Sequence, residues 1–266
     1  MRGVREPWYD LTVGLGSVLL RAIDLRLEVE GLEHLPETGP AVVAANHIGY
    51  LDFMTIAAVG RRRGRNVRFL TRHDVWHAPV AGRAMTGMRH VPVDRTAPAA
   101  AYLHARRLLE QGEVVALFPE AGISYSYTVR SLMPGAAALA LATGAPLVPV
   151  AQWGTQRVWT VGRDATGRKR RPSLRRGRRV DLRVGPPEST GPDPRATTER
   201  LGHTLTTALE GLQQQAHHRP ESGEDAWWYP AHLGGRAPDR TTAQALDNVP
   251  RSAVPPTWGP VAGDVP

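Results

Sequence analysis

The chain has 266 residues, 33 of them Lys or Arg against 25 Asp or Glu, for a formal charge of +8. Hydrophobic residues make up 41%, which excludes wholesale disorder, and the absence of cysteine excludes a disulfide framework, a thiol nucleophile and thiolate metal ligands. No window reaches the roughly 20 apolar residues of a membrane-spanning helix, and the surplus positive charge points to an anionic partner: membrane lipid, nucleic acid or a phosphorylated substrate.

The first element is a helix over Trp8–Ile23, with Trp8, Leu11, Leu15, Val18, Leu19 and Ala22 at helical spacing and Asp10, Ser17, Arg21 and Asp24 off that stripe. It lacks a convincing cleavage site and runs straight into patterned sequence, so a signal peptide is a poor reading. A helix packed on the domain and a helix lying in a membrane interface both suit it, and one helix can do both. From Leu27 onward short apolar runs alternate with helical patterns. Strands are expected at Leu27–Glu30, Ala41–Ala45, Val67–Leu70, His90–Val93, Glu113–Phe118, Pro146–Ala151 and Val180–Val184. Helices are expected at Leu51–Val59, Pro98–Gln111 and Gly135–Thr143, with Pro98 suited to a first turn and Gly112 to the residue past the end. This alternation predicts a single α/β layered domain with a largely parallel central sheet flanked by helices.

After about Glu188 the pattern thins to one helix near Arg195–Gln214. From Arg219 to Pro266 the chain is rich in Pro, Gly and charge and lacks a core of its own, apart from a Trp227-Trp228-Tyr229 cluster suited to docking on the domain or touching a membrane. The chain therefore divides into an amphipathic helix (1–26), a folded domain (27–218) and a poorly structured Pro/Gly-rich tail (219–266).

Four local features carry chemistry. In Ala45-Asn46-His47-Ile48-Gly49-Tyr50-Leu51-Asp52, a histidine and a carboxylate lie five residues apart, just after an apolar strand. On a regular helix their side chains would diverge by about 140°. They meet only if a turn intervenes, for which Gly49 supplies the freedom. Asp52 would then hold one ring nitrogen and leave the other as a base for a hydroxyl; otherwise Asp52 is a helix cap and His47 a loop residue that never meets it. In Gly87-Met88-Arg89-His90-Val91-Pro92-Val93-Asp94-Arg95, an arginine beyond a strand end is placed to hold a phosphate. In Leu117-Phe118-Pro119-Glu120-Ala121-Gly122-Ile123-Ser124, amides around Gly122 with Ser124 could bind anionic oxygens, and Glu120 a substrate hydroxyl or a basic partner; a plain turn with a solvated Glu fits equally well. Gly144-Ala145-Pro146-Leu147-Val148-Pro149-Val150-Ala151 reads as a buried strand.

In this order the four features resemble the PlsC-type 1-acylglycerol-3-phosphate O-acyltransferases, whose signature is an N-H-x4-D block, a G…R block, F-P-E-G-T and a V-P-V-like strand. Asn46, His47 and Asp52 match the first block, Gly87 and Arg95 the second, Phe118, Pro119 and Glu120 the third, and Val148, Pro149 and Val150 the fourth. The resemblance implies a lipid acyltransferase in which His47, oriented by Asp52, deprotonates the hydroxyl of a lysophospholipid, most simply 1-acylglycerol 3-phosphate. That hydroxyl attacks the thioester of acyl-CoA or acyl-carrier protein. Asn46, Arg95, Glu120, Gly122 and Ser124 are expected around the acceptor. No cofactor, metal or acyl-enzyme intermediate is implied. Two departures bear on the acceptor and not on the dyad. Glu120-Ala121-Gly122-Ile123-Ser124 lacks the usual basic or hydroxyl residue, for which Ser124 or Arg130 could substitute, and Met133-Pro134 precede Gly135 where a basic residue is common. A different lipid alcohol, such as a lyso-ornithine-type lipid or a glycolipid, is the alternative acceptor, and an idle basic membrane-binding module is the alternative of another class.

A basic run, Arg163, Arg168, Lys169, Arg170, Arg171, Arg175, Arg176, Arg178 and Arg179, precedes the last strand. Few aromatics are interleaved and no nucleic-acid signature accompanies it, so nucleic acid is not expected. Basic clusters gain about 1 kcal/mol per residue at an anionic leaflet. Arg168, Lys169, Arg170, Arg171, Arg175 and Arg176 are accordingly expected to dock anionic membrane lipid or the acidic acyl donor. The protein is then placed peripherally or monotopically on the cytoplasmic face of the cell membrane.

Overall fold

The computed structural model describes residues 6–94 and 96–259. After helix α1 (Pro7–Ala22) come strands β1 (Arg26–Glu30) and β2 (Ala41–Ala45), helix α2 (Asp52–Arg62), β3 (Val67–Arg72), α3 (Pro79–Gly87) and β4 (Val91–Val93). Then follow α4 (Pro98–Glu110), β5 (Val114–Leu117), α5 (Gly135–Thr143), β6 (Leu147–Trp153), β7 (Arg179–Val184), α6 (Pro194–Gln213) and α7 (Arg240–Leu246). The seven strands form one sheet in the order β1-β7-β6-β2-β5-β3-β4. Every pairing is parallel except β6 with β7, in agreement with the expected α/β architecture. The alternation of β-branched strands with helices produces this layering, because each crossover helix covers a face of a sheet buried on both sides.

Alternate residues of each strand feed two cores. On one face Val42, Ala44, Val115 and Leu117 pack with α4, α5 and α6. On the other, Ala41, Val43, Ala45, Val114, Ala116, Val148 and Val150 pack with Ile56 and Val59 of α2. Strand β2 is central, and its C-terminal end opens onto the loop that carries Asn46 and His47. This is the edge at which parallel sheets place their chemistry.

Two segments show which of the open sequence readings the fold adopts. Helix α1 does not bury its apolar stripe. It packs instead through Tyr9, whose hydroxyl accepts from the Val67 N–H at 2.8 Å, and through Gly16, set against Met54. Leu15 and Val18 are 63% and 61% exposed, with Leu11 and Leu19 also open. The tail has little regular structure, yet it is no loose appendage: Trp228, Tyr229, Val254 and Trp258 join the α4–α6 core. Val254 and Leu132 exchange peptide hydrogen bonds, and the Trp258 ring lies where a side chain on Gly202 would stand. The tail has no core of its own because it shares that of the domain. Among the described residues no helix is long and apolar enough to cross a membrane.

Candidate active site

The His47–Asp52 pair forms. The His47 Nδ1–H donates to Asp52 Oδ2 at 2.8 Å. The same oxygen accepts the peptide N–H groups of Ile48 at 2.7 Å and Gly49 at 2.9 Å, while Oδ1 accepts the Thr155 hydroxyl. Asp52 opens α2, so its charge also sits at the positive end of a helix. The turn between the two residues is tight: a Cβ on Gly49 would stand 2.9 Å from Thr155 Oγ1 and 3.0 Å from the Trp159 carbonyl, and the Tyr50 N–H closes it by donating to that carbonyl at 2.9 Å. Every donor around Asp52 points at a carboxylate oxygen, so the acidic group is fully satisfied without solvent. With a carboxylate at Nδ1 the ring proton resides there, leaving the Nε2 lone pair as acceptor. The His47 side chain is 21% exposed and stacks on Phe118, with ring centroids 4.2 Å apart. Exposed Tyr50, Phe53 and Trp159 lie on the neighbouring surface, Tyr50 and Trp159 in ring contact at 4.7 Å.

Several residues expected at the acceptor have other work. Asn46 is fully buried and clamps β2 to β6: its amide accepts from the Gln152 N–H at 2.7 Å and donates to the Gln152 carbonyl at 3.1 Å. Each end of the amide is engaged with β6 and the side chain is wholly buried, so its visible role is to join the two strands. Glu120 is also buried. Its Oε1 accepts the His47 peptide N–H at 2.7 Å and its Oε2 the Arg130 N–H at 3.3 Å, so it holds the histidine's backbone and not a substrate hydroxyl. Burial pushes the Glu120 carboxyl up to about 8, against the pull of Arg130 and of the two peptide donors. The Ser124 hydroxyl is buried and donates to the Thr128 carbonyl at 2.8 Å, while the Ser124 N–H donates to the His47 carbonyl at 2.8 Å. Gly122 is needed for space, since a Cβ there would come within 2.5 Å of Arg130 Nη2. The 120–130 loop thus cradles the histidine's backbone.

Arg130 does not stand in for the missing basic residue either. It is buried, donates from Nη2 to the Glu120 carbonyl at 2.6 Å, and pairs through Nη1 with Asp247 of the tail at 2.9 Å. Arg240 fastens the same loop, donating to the carbonyls of Val129 and Trp258, each at 2.6 Å. Arg95 lies outside the described residues. Arg168, Lys169, Arg171, Arg175 and Arg176 are exposed, and Arg170 stacks on Trp227 with its guanidinium carbon 3.6 Å from the ring centroid. Thr155, Phe118 as a floor and Asp247 were not legible as site residues. Thr155 and Asp247 belong to no local motif, and Phe118 counted only as a letter of one.

Residues 26–153 match the family model described as Acyltransferase. The chain is 32% identical over 141 residues to the chloroplastic 1-acyl-sn-glycerol-3-phosphate acyltransferase LPAT1 of Arabidopsis thaliana, covering 52% of this chain and 38% of that protein. It is 30% identical over 196 residues to 1-acyl-sn-glycerol-3-phosphate acyltransferase alpha of Mus musculus, covering 71% of this chain and 65% of that one. The chain thus spans less than two thirds of the length of these curated relatives. The crystal structure of the 1-acyl-sn-glycerophosphate (LPA) acyltransferase PlsC from Thermotoga maritima superposes with a TM-score of 0.63 over 78% of this chain and 80% of that one, at 21% identity.

Proposed function

We propose that this chain, whose residues 26–153 match the family model described as Acyltransferase, is a PlsC-type acyltransferase that moves a fatty acyl group from a thioester to the free hydroxyl of a lysophospholipid. The relatives named for 1-acyl-sn-glycerol 3-phosphate support that acceptor. The observation that carries the reading is the open Nε2 of His47, backed by a buried carboxylate whose other donors are all in place. His47 takes the acceptor proton on Nε2 while the hydroxyl oxygen attacks the thioester carbonyl. Asp52 stabilises the imidazolium that forms. The tetrahedral adduct collapses, the carbon–sulfur bond breaks, and the imidazolium returns its proton to the departing thiolate. Ester formation from a thioester runs downhill, so a positioned base and two aligned reactants are sufficient. Acyl-CoA or acyl-carrier protein is the donor in this reading, with no cofactor.

The exposed stripe of α1, with Tyr50, Phe53 and Trp159 near His47, supports peripheral docking on a bilayer. The unpaired cations of the 168–176 run would add attraction to anionic headgroups, and a cytoplasmic membrane face is the corresponding location. One observation favours the second acceptor class: the Arg130 charge is met internally by Asp247, so a lipid alcohol without a phosphomonoester loses little there.

The test is acyl transfer from oleoyl- and palmitoyl-CoA to lysophosphatidate, with His47→Ala beside the wild type. Product that His47→Ala abolishes, in a variant that still melts cooperatively, supports both reaction and base. Thioester hydrolysis dependent on His47 but no transfer to lysophosphatidate moves the acceptor to the second class. Neither, with acyl-carrier protein also tried, rejects acyl transfer.

A further inference from the structure

The turn after β6 touches two neighbours. Thr155 reaches Asp52, and two residues later Arg157 lies over the Trp228 ring, its guanidinium carbon 3.9 Å from the centroid. There the chain leaves a cavity of about 310 Å³ lined by Arg157, Arg175, Glu221, Ser222, Gly223 and Glu224. Arg178, at the foot of the basic hairpin, stands close enough to repel both arginines. Burial, then Arg157 and Arg175, pull its guanidinium down to about 10.

The carboxylates here are only partly available. Glu224 Oε1 lies 3.6 Å from Arg157 Nη2 but already accepts the Trp228 indole N–H at 3.1 Å. Its Oε2 accepts the Glu221 peptide N–H at 3.1 Å. Glu221 is exposed. Arg175 pairs with no carboxylate among the described residues, and Arg178 Nη2 donates to the Ser173 hydroxyl at 3.1 Å. The Nε–H groups of Arg157 and Arg178 are buried without an acceptor. Two guanidiniums, those of Arg157 and Arg175, therefore line one recess with fewer acceptors than donors, the situation that a polyvalent oxyanion relieves.

We propose that Arg157 and Arg175 form a phosphate-ester site that holds the phosphates of the acyl donor while its thioester lies at His47. The inference rests on the acyl-transfer reading for the identity of that donor. Coenzyme A carries a phosphomonoester and a diphosphate, which the planar forks of arginine match. A lipid headgroup suits the recess less well, because no apolar residue lines it to receive the acyl chains.

Arg175→Gln is the first variant, since its side chain is exposed and makes no ion pair that the fold needs. Calorimetric titration with coenzyme A is expected to show binding to the wild type that weakens about tenfold in Arg175→Gln and in Arg157→Gln, the loss of one charge-assisted contact. In turnover, the KM for palmitoyl-CoA relative to that for palmitoyl-N-acetylcysteamine, a thioester without phosphate, is expected to rise by the same factor. Circular dichroism melting of Arg157→Gln separates lost binding from lost fold. No saturable binding of coenzyme A to the wild type, or equal binding by both folded variants, overturns the proposal. Variants that lose binding to phosphatidylglycerol vesicles but not to coenzyme A overturn it in favour of a headgroup site. Arginine-dependent coenzyme A binding without transfer to any acceptor upholds the site while rejecting the acyl-transfer reading.

Discussion

Two histidine–aspartate clusters stand on this fold, and they do opposite things. At one, Asp52 receives His47, two peptide N–H groups and a threonine hydroxyl, and the second ring nitrogen of His47 stays open beside an apolar surface. At the other, Asp181 of β7 receives His217 Nε2 at 2.6 Å and His218 Nε2 at 3.0 Å on a single oxygen, with Arg179 on the other at 2.7 Å. These three side chains could be taken for a metal triad. The His218 Nδ1, however, is buried without an acceptor, so its proton belongs on Nε2, pointing at Asp181. A metal there would drive that proton to a nitrogen with no partner. The second cluster instead fastens the turn after α6 to the sheet. The lesson is that a histidine beside a carboxylate is available as a base only where other donors satisfy the carboxylate and the far ring nitrogen is left without a partner on a part-exposed ring.

That contrast can be broken by mutation. The largest effect is expected at the first cluster: His47→Ala should lower acyl transfer by about 10²–10⁴-fold while leaving the melting curve nearly unchanged, as read by product formation and circular dichroism. Next comes the brace behind it. Asp247→Ala removes the nearer of the two carboxylates facing buried Arg130, leaving Glu120 at 3.9 Å, and should cost about 1–3 kcal/mol in urea unfolding, with a smaller fall in kcat as the 120–130 loop loosens around the His47 backbone. At the second cluster, Asp181→Ala should cost about 1–3 kcal/mol with kcat of the folded fraction unaltered.

The second cluster also has a pH signature. Burial pushes the Asp181 carboxyl up, but donation from His218, Arg179 and His217 outweighs it and holds the group well below its ordinary value of 3.8. Its stabilising contribution is therefore complete above that ordinary value and is lost as pH falls through the depressed folded-state value. Melting temperatures followed downward from pH 5 should drop less steeply in Asp181→Ala than in the wild type. The smallest effect belongs to the surface: Leu15→Ser with Val18→Ser should reduce partition onto anionic vesicles several-fold without altering stability, since both side chains are exposed.

Much of the fold was legible in the chain. Strands β2, β5 and β6 and helices α4, α5 and α6 lie within a few residues of the apolar runs and periodic stretches that announced them. Helix α3 was not legible, because its nine residues include Gly82 and Gly87 and carry little apolar pattern; helix α7 is a single short stretch of polar sequence capped by Asp239. The His47–Asp52 pair was legible as a possibility, since five residues and a glycine allow a closing turn. The internal hydrogen bonds of Asn46, Glu120 and Ser124 were not legible, because a conspicuous polar residue in a motif looks the same whether it faces a ligand or holds the backbone beside one.

By itself, then, the sequence determined what depends on neighbours along the chain: the alternation of elements, the spacing of the dyad, the apolar stripe of α1 and the density of charge at 168–179. Only the tertiary structure decided which way that stripe faces, that Thr155, 103 residues from Asp52, completes the carboxylate, and that a tail without a core braces the 120–130 loop through Asp247 and Arg130. Periodicity and spacing are written in short stretches of chain, whereas a buried polar group finds its partners only when folding brings distant segments together and removes the water that would otherwise have served.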